Sequence, residues 1–219
     1  MSDVRRVLAR EERAIHQHLL TMAELAARAL DQSLASLRGQ DIELARRVVS
    51  EDSEINRLHR EVERECLITI ASQQPVARDL REIVAGLHIA SDLERIADHA
   101  AGVAKVVLEM DPSDESGPTE KILHMGELAK GMLLRAVDAF DAADADLAFS
   151  VGQQDGEVDD IHEEVLSELV MRLATGPDEH SRATHLLWIA HGLERIGDHA
   201  TNVAERVVFM VSGETPELN

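Results

Sequence analysis

LERIADH at Leu93–His99 and LERIGDH at Leu193–His199 decide how this chain is read. The two heptapeptides differ only at Ala97 against Gly197, and each runs on to a Val-Ala pair, Val103-Ala104 and Val203-Ala204, at an offset of 100 residues. Upstream, Met22-Ala-Glu-Leu-Ala26 recurs as Met125-Gly-Glu-Leu-Ala129. The same 103-residue offset pairs Asp41 with Asp144 and Asp52 with Asp155, so three residues are dropped in between. The chain is a tandem duplication of one unit.

What each unit is made of follows from composition. Apolar residues are 44% of the 219 and aromatic residues only 2%, a palette for Leu/Ala/Val helix packing rather than sheets. All five prolines lie between long helix-forming stretches, where a missing N–H does no damage. The pattern predicts six helices, at 3–38, 41–73, 76–109, 119–142, 144–174 and 178–211. Gly39 is expected to cap the first, Asp41 to open the second, and Asp111–Pro118 to link the halves. Ile83, Ala90, Leu93, Ala97, Ala100, Ala104 and Val107 form an apolar stripe at helical spacing that two neighbouring helices must cover. The expected fold is therefore all-α, a pair of three-helix bundles with domains at 1–112 and 118–219.

Several classes fall away. No uncharged stretch approaches the roughly 20 apolar residues of a membrane span. MSDVRRVLAREER is charged too early for a secretory signal. The single cysteine, Cys66, has no internal disulfide partner and reads as a small core residue. Twenty-two basic against 42 acidic residues leave a net charge of −20, which opposes nucleic acid and suits cations or basic protein surfaces. P-loop, G-x-S-x-G and paired CxxC motifs are missing.

The chemistry-bearing residues are acidic and repeated. Glu94 and Asp98, like Glu194 and Asp198, sit four apart and so share a helix face where like charges repel. Glu94 continues a line of Leu80, Leu87 and Ala101, and Glu194 one of Leu187 and Thr201. Carboxylates set among apolar neighbours need a cation, a basic partner or a raised pKa. On the preceding helix of each half, Asp52, Asn56 and His59 match Asp155, Asp159 and His162, flanking the stripe of Val48, Ile55 and Val62. Two oxygen-rich faces can meet inside each bundle. Such donors suit magnesium, manganese or iron, and a recruited His59 or His162 admits zinc.

Plainer readings stand beside these. Arg95 and Arg195 lie three residues from Asp98 and Asp198 and can hold them in salt bridges. His99 and His199 point away from the acidic pairs and read as surface or inter-bundle residues. Met22, Met125 and Trp188 read as packing.

At QQPVARDLREI (Gln73–Ile83), DLERIADHA (Asp92–Ala100), LERIGDHATNVAERVVFMVSG (Leu193–Gly213) and DSEINRL (Asp52–Leu58), the chain resembles the PhoU family of phosphate-transport regulators. The resemblance runs from about Met22 to the end. It implies two three-helix bundles with E/D-x-x-x-D motifs that hold multinuclear metal clusters in some members. Carried over residue by residue, those motifs fall on Asp52/Asn56 with Glu94/Asp98 and on Asp155/Asp159 with Glu194/Asp198. Asn56 departs from the second acid. His59 and His162 stand where many members have Glu or Tyr.

The resemblance further implies a non-enzymatic, cytoplasmic negative regulator, a homodimer joining the ATPase subunit of the phosphate ABC transporter to a sensor histidine kinase and meeting the membrane only through them. The rival reading is metal storage or an oxidase, because Asp159-x-x-His162 has the spacing used in di-iron bundles. Its counterpart Asn56-x-x-His59 lies in the other half, an incomplete match. A metal-free scaffold is the third reading.

Overall fold

The structure is a computed structural model that describes residues 3–111, 117–174 and 180–218. It contains six helices: α1 Asp3–Gly39, α2 Ile42–Gln73, α3 Arg78–Glu109, α4 Thr119–Ala142, α5 Ala145–Leu173 and α6 His180–Ser212. Among the described residues there is no strand. Most of the expected linker, 112–116, and the α5–α6 connection, 175–179, lie outside the described residues.

The duplication is visible in the corners. Asp41 and Asp144 cap α2 and α5 through side chains that accept from Leu44 N (2.9 Å) and Leu147 N (3.0 Å). Just before them, Gln40 and Ala143 take left-handed backbone at φ 49° and 51°. The amides of Asp41 and Asp144 reach back to the Ser36 and Ala139 carbonyls at 3.0 and 2.9 Å. This is the Schellman closure, and it corrects the expectation for Gly39: the left-handed position falls one residue later. The α3 start is also later than expected. Pro75 keeps Gln74 out of the right-handed helical region, Gln74 goes left-handed, and Ala77 follows at φ 51°, so regular helix resumes only at Arg78.

Within each half all three helices touch one another. Between halves α3 packs on α6 and α1 on α4, while among the described residues α2 and α5 touch only their own half. The order across the molecule is α2, then α1 and α3, then α4 and α6, then α5. Small residues permit the central approach. A Cβ at Gly126 would collide with the Leu34 side chain, and one at Gly192 would touch Val103 at 3.7 Å. One apolar core runs through both halves and includes the whole α3 stripe, Met22, Met125 and Cys66, whose thiol is pushed up to about 12, chiefly by burial. His99 and His199 meet across the seam with ring centroids 5.7 Å apart, and His199 Nδ1 lies 3.0 Å from Asp92 Oδ1. Trp188 departs from expectation. It is 65% exposed, because the neighbouring Leu186, Ile189 and Ala190 take the core-facing side of α6. Leu80 is likewise exposed, so the Leu80–Leu87–Glu94–Ala101 line runs from surface to core.

Candidate metal-binding faces

In the first half, α2 supplies Asp52 and Asn56, and α3 supplies Glu94 and Asp98. Asp52 is half-buried, and its carboxyl is raised by desolvation first and by the Asp98 charge second, which places the two helices' acids against each other. Lys105 and the Asn56 amide work the other way: Asn56 Nδ2 donates to Asp52 Oδ2 at 2.9 Å. The other Asp52 oxygen, Oδ1, is buried with no hydrogen-bond partner. Arg95 spans the pair loosely, 3.6 Å from Glu94 and 3.5 Å from Asp98. His59 Nε2 lies 3.3 Å from Ser91 Oγ rather than at the carboxylates.

The second half is more acidic and more enclosed. Asp155 is 4% exposed, and its carboxyl is pushed up to about 6 by burial, then by Asp159 and Asp198, with Glu194 contributing and the Thr201 hydroxyl opposing. Asp159 is raised by desolvation and by Asp198, with His162 opposing. All four acids therefore share one local field. Asp198 is held by Arg195. Glu194 Oε2 is buried without hydrogen-bond geometry to any donor, although His191 Nδ1 lies 3.4 Å away. The His162 and His191 rings face each other at 6.4 Å.

Both faces fit a cation on their own chemistry: oxygen donors from two packed helices, one orphaned buried oxygen in each, and pKa values raised by burial first and by mutual repulsion second. The sets are open, however: no three of their carboxylates and imidazoles bring donor atoms within 4.8 Å of one another. Among the described residues that compactness belongs to His18, Glu61 and Glu65, on α1 and α2. Sequence reading missed this group, and missed His191. Glu61 and Glu65 are spaced i, i+4, but nothing in sequence joins them to His18, which comes from another helix. A cleft of about 210 Å³ between Glu12, His16, Glu82 and Phe140 lies away from both carboxylate faces.

Fold and site together define a class: a duplicated six-helix protein with a carboxylate face at the α2–α3 and α5–α6 contacts. The chain belongs to the PhoU family. The family model for the PhoU domain matches twice, at residues 19–107 and 122–207. A Pseudomonas aeruginosa protein named "Phosphate-specific transport system accessory protein PhoU homolog" is 38% identical over 201 residues, covering 91% of this chain and 83% of that protein. A Clostridium acetobutylicum protein of the same name is 30% identical over 98% of this chain and 99% of its own length. The crystal structure of PhoU from Pseudomonas aeruginosa superposes with a TM-score of 0.91 at 36% identity, covering 94% of this chain and 99% of that one. The Streptococcus pneumoniae phosphate transport system regulatory protein PhoU gives 0.89 at 28% identity, covering 96% and 99%.

Proposed function

We propose that this chain is a non-enzymatic regulator of phosphate uptake, a cytoplasmic adaptor that represses the phosphate-starvation response by joining the transporter's ATPase subunit to its sensor histidine kinase. The observation that carries this reading is near full-length likeness to proteins named as accessory to phosphate-specific transport. Physical chemistry supports it. A chain of net charge −20 is steered toward basic patches on partners, an attraction that salt weakens. Among the described residues no helix is long and apolar enough to cross a membrane, which suits attachment through partners. The exposed Leu67, Ile68 and Val76 in one half and Val170, Met171 and Trp188 in the other suit protein contacts, the homodimer included.

In the same proposal the halves 1–112 and 118–219 are two domains, each with its own metal face. Asp52, Asn56, Glu94 and Asp98 serve one and Asp155, Asp159, Glu194 and Asp198 the other, with His59 and His162 as further ligands. The ion is iron, zinc, manganese or magnesium, and its chemistry is to neutralise buried carboxylates and lock α2 to α3 and α5 to α6. Deleting the chain tests the regulatory reading: a starvation-gene reporter should switch on in phosphate-replete medium. Continued repression, with no second homologue to substitute, would reject it. The second reading, metal storage or oxidation, has the His162–His191 pair beside Asp159 and Glu194 in its favour. Oxygen consumption by the iron-loaded protein would shift weight to it.

A further inference from the structure

His18, Glu61 and Glu65 stand outside both carboxylate faces. Their donor atoms lie within 4.8 Å of one another, and His18 Nδ1 is 3.0 Å from Glu65 Oε2. All three are half-buried, with side chains 31, 33 and 25% exposed. Arg57 holds one Glu61 oxygen at 2.8 Å and leaves the other free of that contact.

The duplication supplies an internal comparison. At the 103-residue offset, Glu61 and Glu65 correspond to Glu164 and Glu168, and His18 corresponds to Lys121. In the second half the Lys121 ammonium sits between those two carboxylates, 3.2 Å from Glu164 and 3.7 Å from Glu168. An arginine again grips one of them, Arg172 on Glu168 at 3.4 Å. The repeated α1–α2 and α4–α5 scaffold therefore holds a cation between the same pair of glutamates, and in one half that cation is covalently built in. Where lysine is replaced by histidine, the permanent charge is gone, the glutamates are more enclosed than Glu164, and the ring nitrogen that faces them becomes a metal ligand once it gives up its proton.

We propose that His18, Glu61 and Glu65 bind a divalent first-row transition ion such as Zn²⁺, in the position that the Lys121 ammonium takes in the second half. One imidazole and two carboxylates are a standard donor set for zinc, at about 2.0–2.2 Å, with water completing the sphere. The site is independent of the α2–α3 and α5–α6 faces, and its fate does not hang on theirs.

The test uses the full chain with Glu94, Asp98, Glu194 and Asp198 all changed to Ala, so that the other faces are crippled, and Zn²⁺ as probe in equilibrium dialysis with elemental analysis. This background should retain one tight equivalent of zinc. Adding His18→Lys should weaken zinc by more than about tenfold, since even loss of an outer-sphere partner costs that much. Its melting temperature should be unchanged, because Lys121 already fits the equivalent place. Adding Lys121→His instead should create a second equivalent. Zinc shifting the His18 ring resonances by NMR would tie the ion to that imidazole. No zinc in the background protein, or zinc indifferent to His18→Lys, would overturn the proposal and leave His18 as an ordinary salt-bridge partner of Glu65.

Discussion

The two halves share their backbone devices and differ in their electrostatics. Both close the first corner on a left-handed residue followed by a capping aspartate, and both set an acidic second helix against an LERI(A/G)DH third helix. Around the carboxylates the first half has Asn56, Ser91 and Lys105 where the second has Asp159, His191 and Glu205. The first face is thus partly neutralised by the protein itself, through an amide bonded to Asp52 and a nearby ammonium. The second accumulates charge, and burial together with that charge raises the Asp155 carboxyl to about 6. Duplication has kept what packing demands and let the cation-holding groups diverge. The α1–α2 glutamates diverge in the opposite sense, with the fixed ammonium in the second half.

The sharpest way to break this comparison is to truncate both faces. Glu194→Ala with Asp198→Ala should remove most metal held by the second face, a loss of well over tenfold in affinity, while helicity stays nearly intact because no core cavity opens. Glu94→Ala with Asp98→Ala should cost less metal. Elemental analysis giving equal losses would remove the asymmetry. Conversely, Asn56→Asp should move the first face toward the second: tighter metal, and about 1 kcal/mol less stability without it, since the 2.9 Å bond to Asp52 becomes a like-charge contact. Chemical denaturation with and without metal measures both.

The seam gives the next largest effect. Gly126→Val should destabilise by about 1–3 kcal/mol in urea melts, because the added branches meet Leu34 in the core. Its counterpart Ala23 already carries a Cβ, so Ala23→Gly should cost no more than the ~1 kcal/mol helix penalty of glycine.

One pH effect has no counterpart in the second half, since Glu12 lies on the part of α1 that extends beyond anything in α4. Burial, then Asp79 and Glu82, raise Glu12 from 4.5 to about 7, with Arg78 opposing. The folded state therefore holds this proton more tightly than the unfolded one. The stabilisation is complete below about pH 4.5 and is lost as pH rises through 7. Glu12→Gln should raise the melting temperature at pH 8, and the gain should shrink by pH 5. An equal gain at both pH values would refute the burial argument.

The smallest effect sharpens the likeness. Ala143→Gly and Gln40→Gly should each stabilise by about 0.5–1 kcal/mol, because both residues sit at positive φ with no glycine to relieve the strain. Denaturation midpoints shifting in only one half would mean that the corners are not equivalent.

Helix number, order and duplication were legible in sequence, because a 3.6-residue stripe and a proline between stripes are local signals that tertiary context did not override. All six helices begin and end within two residues of expectation at every described end, and the two-residue delay at the α3 start follows from Pro75 acting on Gln74. The carboxylate faces were legible for a related reason: residues i and i+4 on one helix share a side, and the repeat displayed the pattern twice. Trp188 was misread because a single residue between two core-facing neighbours can fall on either side of a helix boundary stripe.

Two things were decided only in three dimensions. That Asp98 on α3 comes up against Asp52 on α2, and that His18 on α1 meets Glu61 and Glu65 on α2, both depend on the rotation of one helix against another. The amino-acid sequence by itself determined an acidic, duplicated, all-α chain, since composition, period and punctuation are properties of contiguous residues. Which donors from different helices share one cation-sized space was decided by the tertiary structure, because helix rotation and approach are set by core packing at places such as Gly126 against Leu34, far along the chain from the groups they bring together.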